Sequence, residues 1–344
     1  MIKTLASRIR EYKGVSIATP LMMIGEVAME MIIPLLMARI IDIGVANQDM
    51  PYIIRTGLIM LLIALLGLLF GLLGGKFAAK ASAGFAKNLR QGMFENIQTF
   101  SFANIDKFST AGLVTRLTTD ITNVQNAFQM LLRMCFRAPV SLVVAMITAF
   151  SINAHLASIF LVAMLILAGI LVIIIGFAMK YFRQAFPKYD ELNASVQENV
   201  SGIRVVKAFV REDFENEKFR KASDNIYKIF VKAEGVVAWN GPVMMTTIFT
   251  SMMILSWVGA KLVVDPASGL ATGELFSLFT YCLTILMNLM MLSMIFVMMT
   301  MSEPSMRRIS EVLNETATIR NPADPIMNIP DGSIEFDQDR KSVV

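Results

Sequence analysis

The chain has 344 residues, of which 55% are hydrophobic and 17% are charged, and its formal net charge is +4. This balance predicts a membrane protein and disfavours a soluble helical domain, whose helices would show polar faces at helical spacing. The small basic excess indicates contact with anionic lipid in preference to nucleic acid.

The N-terminal segment, residues 1–14, is amphipathic. Ile2, Leu5 and Ile9 recur at helical spacing among lysines and arginines, which predicts a helix lying in the membrane interface. The segment is not a cleavable signal peptide, because the apolar run that follows is too long and no A-x-A site closes it.

Six apolar runs follow, and each is interpreted as a membrane-spanning helix. They cover residues 15–43, 56–75, 138–153, 155–179, 235–260 and 275–302. The third and fourth runs share one charge-free stretch, which is too long for a single span. Its interruption at Asn153-Ala154-His155 predicts a hairpin of two helices with a minimal turn.

Two acids, Glu26 and Glu30, lie inside the first run, about 12 and 16 residues from its start, which predicts a position in the middle or outer half of the bilayer. An acid within a span costs about 3 kcal/mol on insertion scales, so it normally faces a cavity or a partner. Three interpretations remain open. The acids line a polar cavity that attracts cations, make a structural hydrogen bond to a neighbouring helix, or form a proton-carrying pair.

Two long connections, residues 76–137 and 180–234, are rich in Lys and Arg, as are the segments before the first run and after the sixth. The three alternating loops hold almost no positive charge. By the positive-inside rule, both termini and both long connections are expected in the cytoplasm. Helices that continue 20–25 residues beyond the membrane reach about 30 Å into it, which suits a machine driven from that side.

Methionines form a stripe on the sixth run, and Met29 shares a face of the first run with Glu26. Methionine offers a soft, adaptable surface for varied apolar ligands, although packing against neighbouring helices is the alternative. The predicted substrate cavity comprises Glu26, Glu30, Met29, Met287, Met291, Met294 and Met298. No metal site is predicted.

Four segments carry motifs. Residues 198–213 read ENVSGIRVVKAFVRED, residues 108–120 read FSTAGLVTRLTTD, residues 269–275 read GLATGEL, and residues 308–313 read RISEVL. The first resembles the E-N-x-x-G-I-R-V-V-K-A-F-x-x-E signature of type I exporter ATP-binding cassette (ABC) transporters. The second is similar to that family's F-x-x-x-x-x-G-x-L-x-S-R-L-x-x-D element, with the glycine one place nearer the Phe. The resemblance covers nearly the whole chain.

The resemblance implies an all-α membrane domain over residues 1–318, with six transmembrane helices and long cytoplasmic extensions. It also implies two coupling helices that seat on nucleotide-binding domains, the second on the domain of the other half-transporter. The first comprises Ile105, Asp106, Lys107, Phe108, Ser109 and Thr110. The second comprises Arg211, Glu212, Asp213, Phe214, Glu215 and Asn216. Aromatic anchors among charges, such as Phe209, Phe214 and Phe219, suit such docking.

Partners and location follow from the same resemblance. Such exporters use twelve spans, so the six here imply a homodimer or a heterodimer with another half-transporter. The nucleotide-binding domains and membrane lipids are the other expected partners, and nucleic acid is not one. The expected location is the plasma membrane, as a multi-pass protein of a bacterial inner membrane.

The chain lacks the motifs of ATP hydrolysis. A phosphate-binding loop reads G-x-x-x-x-G-K-[ST], but the only Gly-Lys pair, Gly75-Lys76, is followed by Phe77 and ends an apolar run. No L-S-G-G-Q signature and no hydrophobic run ending in catalytic acids occurs. We therefore expect no cofactor in this chain and no catalytic residue. ATP and Mg are expected in a nucleotide-binding domain that these residues do not include.

Residues 319–338 are interpreted as a linker containing Asn321-Pro322-Ala323-Asp324-Pro325, followed by a segment that resembles the G-x-I-x-F first strand of that domain. Residues 339–344, DRKSVV, are what GATCGGAAGAGCGTCGTG encodes, a string that matches a common sequencing adapter. We therefore expect a truncated reading frame with an artefactual tail. A natural short tail is the alternative.

The predicted function is that of the transmembrane (permease) half of an ATP-driven exporter, which moves amphipathic small molecules or lipids by alternating access. One alternative is an ion-coupled secondary transporter that uses Glu26 and Glu30. Another is an inactive membrane scaffold fragment. The substrate itself is not indicated.

Overall fold

The structure, a computed structural model, describes residues 1–319 and 331–335. The predicted linker and strand at 319–338 lie mostly outside the described residues, and the predicted tail at 339–344 lies wholly outside them. The described residues are almost all helical and contain no β-strand, which confirms the predicted all-α fold class.

Eleven α-helices and three irregular helical segments follow one another along the described chain. The α-helices are α1 (Ile2–Ala6), α2 (Lys13–Arg39), α3 (Met50–Ile97), α4 (Phe102–Phe108), α5 (Thr110–Thr115), α6 (Ile121–Ile152), α7 (Ala154–Ser201), α8 (Ile203–Ala208), α9 (Glu212–Ala238), α10 (Asn240–Val264) and α11 (Thr272–Asn314). A 3₁₀ segment (Ser7–Tyr12) joins α1 to α2, and π-helical segments extend α2 (Ile40–Val45) and precede α6 (Arg116–Asp120).

Six continuous helical stretches are long and apolar enough to cross a membrane, which confirms the predicted number of spans. They are Ile2–Val45, Met50–Ile97, Thr110–Ile152, Ala154–Ser201, Glu212–Val264 and Thr272–Asn314. Each contains one of the apolar runs. The chain is therefore a membrane protein whose helices are longer than their apolar runs.

The excess length lies mainly at one end of the bundle. Helices α3 and α7 have 48 residues each, or about 70 Å, more than twice the ~30 Å hydrocarbon core. We call the end with the Lys- and Arg-rich extensions the charged end and the other the short-loop end. At the short-loop end Asn153 alone separates α6 from α7, and its Oδ1 accepts a hydrogen bond from Leu156 N (3.0 Å). The predicted hairpin is confirmed.

Two buried cores hold the helices together. The core toward the short-loop end is built from α2, α6, α7, α10 and α11, and includes Val27, Ala145, Phe160, Leu255 and Tyr281. The core at the charged end includes Leu5, Leu89, Ile121, Ile309 and Val312. The N-terminal segment thus packs on α3 and α11. The single helix expected over residues 1–14 is broken, because α1 ends at Ala6 and Arg10 has a φ of 44°.

Three hydrogen bonds, two of them buried, fix how α11 lies against α2 and its π-helical extension. Tyr281 Oη donates to the Met31 carbonyl (2.6 Å), and Ser277 Oγ donates to the Pro34 carbonyl (2.7 Å). One turn further on, Gly273 N donates to Asp42 Oδ1 (2.6 Å). A hydrogen-bonding group that is shielded from water and loses its partner costs free energy. The three bonds together therefore favour one register of the two helices.

Gly273→Ala is expected to lower the melting temperature of the chain. A Cβ at this position would collide with the Ala38 carbonyl oxygen and lie 2.6 Å from Asp42 Oδ2. Such crowding costs about 1–3 kcal/mol. Gly241→Ala is the matched control, since a Cβ at Gly241 meets no atom within 4 Å. An equal melting temperature for both variants would contradict the close packing of α11 on α2.

Helices α7 and α9 form an antiparallel pair at the charged end, here called the arm, with α8 between them. Phe230 packs edge-on against Phe182 and Tyr189, with ring centroids 6.0 and 5.6 Å away. Nearer the far end, Lys218 Nζ lies 2.7 Å from Glu198 Oε2. These contacts hold the two antiparallel helices side by side, so that the connection between them lies at the far end of the charged extensions.

Candidate coupling tips and charge cluster

The first tip, residues 101–110, connects α3 to α5 and contains the six residues predicted for the first coupling helix. Residues 105–108 form the end of α4, Ser109 breaks the helix with a φ of 54°, and Thr110 begins α5. Ser109 Oγ accepts a hydrogen bond from Gly112 N (3.1 Å) and so caps α5. The six residues therefore lie on both sides of a helix break.

The two phenylalanines of α4 have opposite environments. Phe108, a predicted coupling residue, is only 8% exposed and stacks on Phe100 with ring centroids 5.8 Å apart, so it supports the tip from inside. Phe102, which sequence reasoning missed, is 86% exposed. A sequence signal for this position was present in Ser101 and Asn104, which have the spacing of a helix cap. Their hydrogen bonds cap α4, so Phe102 is the first residue of that helix.

The second tip, residues 202–216, joins α7 to α9. Gly202 ends α7, α8 adds two turns, and the chain reverses through Val210, which has a φ of 50°. The residues predicted for the second coupling helix form no helix of their own. Arg211 is the N-cap of α9, and Glu212–Asn216 are its first residues.

The second tip exposes apolar side chains among fixed charges. Phe209 is 73% exposed and Phe214 is 60% exposed, with Val210 exposed between them. Lys207 Nζ lies 2.9 Å from Glu212 Oε1, and Asn199 Nδ2 donates to Glu215 Oε2 (3.2 Å). Contiguous exposed apolar surface is typical of a site that contacts another protein or a membrane.

Glu26 and Glu30 both pair with one guanidinium group on α6. Arg137 Nη2 donates to Glu30 Oε2 (2.8 Å), and Arg137 Nε lies 3.7 Å from Glu26 Oε1. Glu30 is the more exposed of the two acids. Two carboxylates around one guanidinium leave a formal charge of −1 in this charge cluster. The contact to a neighbouring helix is one of the three interpretations left open by the sequence, and sequence reasoning did not name Arg137 as the partner.

The charge cluster lies near the charged end of the apolar runs. Glu26 lies beside Gly71, where an added Cβ would be 3.3 Å from the Glu26 carboxyl carbon. Gly71 is four residues, about 6 Å, from the end of the apolar run of α3, and Arg137 directly precedes the run of α6. The acids therefore lie level with the charged ends of two neighbouring apolar runs, because the Tyr12 ring that precedes their own run lies against Gly84 in the charged extension of α3. Their position in the middle or outer half of the bilayer stays a prediction.

The methionines of the predicted cavity differ in exposure. Met287, Met294 and Met298 are exposed on α11, and Met291 and Met29 are partly exposed. The contacts of α11 with Met31, Pro34 and Ala38 of α2 are made by other residues, nearer the start of α11. Among the described residues no group of three His, Cys, Asp or Glu side chains is placed to hold a metal ion.

Comparison with known proteins gives the family. The family model described as "ABC transporter transmembrane region" matches residues 17–290, which include both tips and the charge cluster. The chain belongs to this family. The chain is similar to an uncharacterized ABC transporter ATP-binding protein, YfiB, of Bacillus subtilis. The two are 30% identical over 92% of the chain and 55% of the relative.

Two further relatives carry functional names. An ATP-dependent lipid A-core flippase of Pseudomonas savastanoi is 26% identical over 66% of the chain and 39% of the relative. A multidrug resistance-like ATP-binding protein, MdlA, of Buchnera aphidicola is 26% identical over 94% of the chain and 56% of the relative. The chain thus spans about half the length of the curated relatives that it matches.

Proposed function

We propose that the chain is the transmembrane half of an ATP-driven exporter that moves amphipathic small molecules or lipids by alternating access. The observation that carries the proposal is the pair of exposed apolar tips on helices that extend about 30 Å past their apolar runs. Such helices act as levers, since a push at a tip is carried along a rigid element to the membrane.

The partners at the tips are proposed to be nucleotide-binding domains, which would bind ATP and Mg. Three features support them. Phe102, Phe209 and Phe214 are exposed anchors of the kind that fill pockets on a partner. The relatives are named ABC transporter ATP-binding proteins and are nearly twice as long as the chain. The charged end bears the basic residues that the positive-inside rule assigns to the cytoplasm.

A second half-transporter is proposed to cover the exposed apolar face of α11. Met287, Met294 and Met298 lie on this face, opposite the buried residue Ile285. In a homodimer or heterodimer the methionines of two halves would line a common cavity with an adaptable surface. Relatives named as a lipid flippase and a multidrug protein support an amphipathic or lipid-like substrate. The proposed location is the plasma membrane of a bacterium.

The chain purified alone is expected to show no ATP hydrolysis above background, because its 344 residues hold no phosphate-binding loop. Joined after residue 318 to a complete ABC nucleotide-binding domain, as in the longer relatives, and placed in lipid vesicles, it is expected to hydrolyse ATP and to move a fluorescent lipid. The vanadate-sensitive release of phosphate and the rate of lipid movement are the measurements.

The same vesicles separate the alternatives. An ionophore that abolishes movement while ATP remains would favour the ion-coupled transporter that uses Glu26 and Glu30. Hydrolysis without any movement of lipids or amphipathic cations would favour the scaffold. Vanadate-sensitive hydrolysis by the pure 344-residue chain would contradict the assignment of the catalytic motifs to another domain.

A further inference from the structure

A buried carboxylate joins the first connection to the end of α11. Asp120 is 1% exposed, and its Oδ2 accepts a hydrogen bond from Arg308 Nε (2.7 Å) while its Oδ1 accepts from Ser305 Oγ (2.9 Å). Arg308 Nη2 also bonds to Oδ1, which completes a bidentate pair. Bidentate guanidinium–carboxylate pairs fix orientation as well as distance, so α11 and the start of α6 are held in one geometry here.

A second buried side chain holds the segment that follows α11. Asn104 is 1% exposed, and its Nδ2 donates to Glu315 Oε1 (2.9 Å) and to the Thr316 carbonyl (3.2 Å). Its Oδ1 accepts from Thr318 N (3.1 Å), and Lys107 Nζ lies 2.8 Å from Glu315 Oε2. The hydrogen bond from Lys107 and that from Asn104 lower the pKa of the Glu315 carboxyl group. The Glu315 carboxylate therefore stays ionised at neutral pH.

The two contacts belong to one continuous structure, here called the clamp. Asn96 Nδ2 donates to the carbonyls of Val312 (2.7 Å) and Glu315 (2.9 Å), and so satisfies groups that the end of α11 leaves free. Arg116 Nη1 donates to the Arg308 carbonyl (3.0 Å) and lies 3.1 Å from Glu311 Oε2. The clamp therefore covers about the last three turns of α11, from Ser305, and the four residues after it.

Backbone irregularities coincide with the clamp. Arg116–Asp120 is π-helical, and Ser109 of the first tip has a positive φ. Both conformations cost free energy and persist where tertiary contacts hold them. Here they turn Arg116 and Asp120 toward α11 directly after the first tip.

We propose that Asn104 and Asp120 are positioning residues that make the first tip, the end of α11 and residues 315–318 move as one body. The inference rests on the proposed function, under which the nucleotide-binding domain follows these residues. Without support, the extended segment at residues 315–318 would be a flexible tether that transmits little force. Because the clamp holds this segment, and Arg308 joins α11 to the same clamp, movement of the nucleotide-binding domain is passed on to α11. This path acts in addition to the contacts at the docked tips.

The first experiment asks whether the clamp exists in solution, and it needs only the 344-residue chain. Hydrogen–deuterium exchange of the amides in 312–318 is measured in detergent for the parent chain, Asn104→Ala and Asp120→Asn. Both variants are expected to exchange there about tenfold faster. Arg307→Ala is the matched control, because Arg307 adjoins Arg308, is exposed and has no ion pair within the described residues. Unchanged exchange in both clamp variants would overturn the inference.

The second experiment tests the coupling role in the complete transporter. Asn104→Ala is expected to lower the number of substrate molecules moved per ATP at least several-fold, with ATP hydrolysis retained. The thiol pair Ser101→Cys with Thr318→Cys, whose parent hydroxyl groups are within hydrogen-bonding contact, is then added to Asn104→Ala. Oxidation should restore the ratio and a reductant should abolish the rescue, which a loss of general stability would not reproduce.

The outcomes distinguish the inference from the function on which it rests. A parent transporter without ATP-dependent movement would overturn the proposed function and, with it, the coupling role. A working parent whose ratio is unchanged in Asn104→Ala and Asp120→Asn would overturn the inference alone. A ratio that falls but is not rescued by the disulfide, together with a lower melting temperature, would also overturn it.

Discussion

Replacing Phe214 and Glu212 together by Ala in the complete transporter is expected to uncouple ATP hydrolysis from transport. Phe214 is an exposed anchor at the second tip, and Glu212 pairs with Lys207 beside it. Removing an aromatic anchor from a docked interface costs about 2–4 kcal/mol. At the lower figure the docked population falls about 30-fold. Basal hydrolysis should persist, because neither residue is proposed to lie near the nucleotide.

The measurement is the stimulation of hydrolysis by substrate, together with transport rate, at equal expression. Tyr227→Ala is the matched control, since Tyr227 is an equally exposed aromatic residue of α9 away from the tip. Phe102→Ala is expected to show a similar but smaller loss at the first tip. Stimulation and transport that remain unchanged in the double variant would remove the second tip from the coupling role.

Arg137→Ala, directly before the third apolar run, is expected to produce a larger loss of stability than Glu26→Gln or Glu30→Gln alone. It leaves Glu26 and Glu30, one helical turn apart, without their shared partner. Removing one member of a buried ion pair costs about 3–5 kcal/mol, and partial exposure of Glu30 reduces this to about 2–3 kcal/mol. The melting temperature in detergent is the measurement. Adding Glu26→Gln and Glu30→Gln to Arg137→Ala should restore most of the loss, because no unpaired charge remains.

The same variants decide whether the acids also attract substrate. If a carboxylate faces the cavity, Glu26→Gln should reduce export of a cation more than export of a matched neutral compound. If Glu26 only holds α2 to α6, both exports should fall equally and the melting temperature should fall with them. Full stability of Arg137→Ala, with unchanged export of both compounds, would contradict any role of the charge cluster.

Local features of the sequence predicted the membrane architecture correctly. The number of spans follows from the length of the apolar runs, and the hairpin at Asn153 follows from a single polar break in a long charge-free stretch. Both depend on properties of contiguous residues, since a helix in lipid must satisfy its backbone and cover itself with apolar side chains within its own segment. The motifs at residues 108–120 and 198–213 lie in the two connections that contain the tips.

The pairing of distant residues could not be predicted in this way. Helical periodicity shows which residues share a face, but it does not show which neighbour that face meets or at what height. The height of Glu26 relative to the other helices depends on how α2 lies along the charged extension of α3, which its own run does not show. Its partner Arg137 is 111 residues away in the sequence, and their contact depends on the rotation of two helices.

The sequence alone thus determined the all-α membrane fold, the six spans, the positions of the charged extensions and the family motifs. The tertiary structure alone decided that Phe102 and not Phe108 is exposed, that Arg137 neutralises one of two acids, and that Asp120 and Arg308 meet. The motifs containing Asp120 and Arg308 were both recognised, but separately. Their meeting follows from close packing of α6 and α11, where side-chain shape and buried hydrogen bonds select one register among many of similar hydrophobicity.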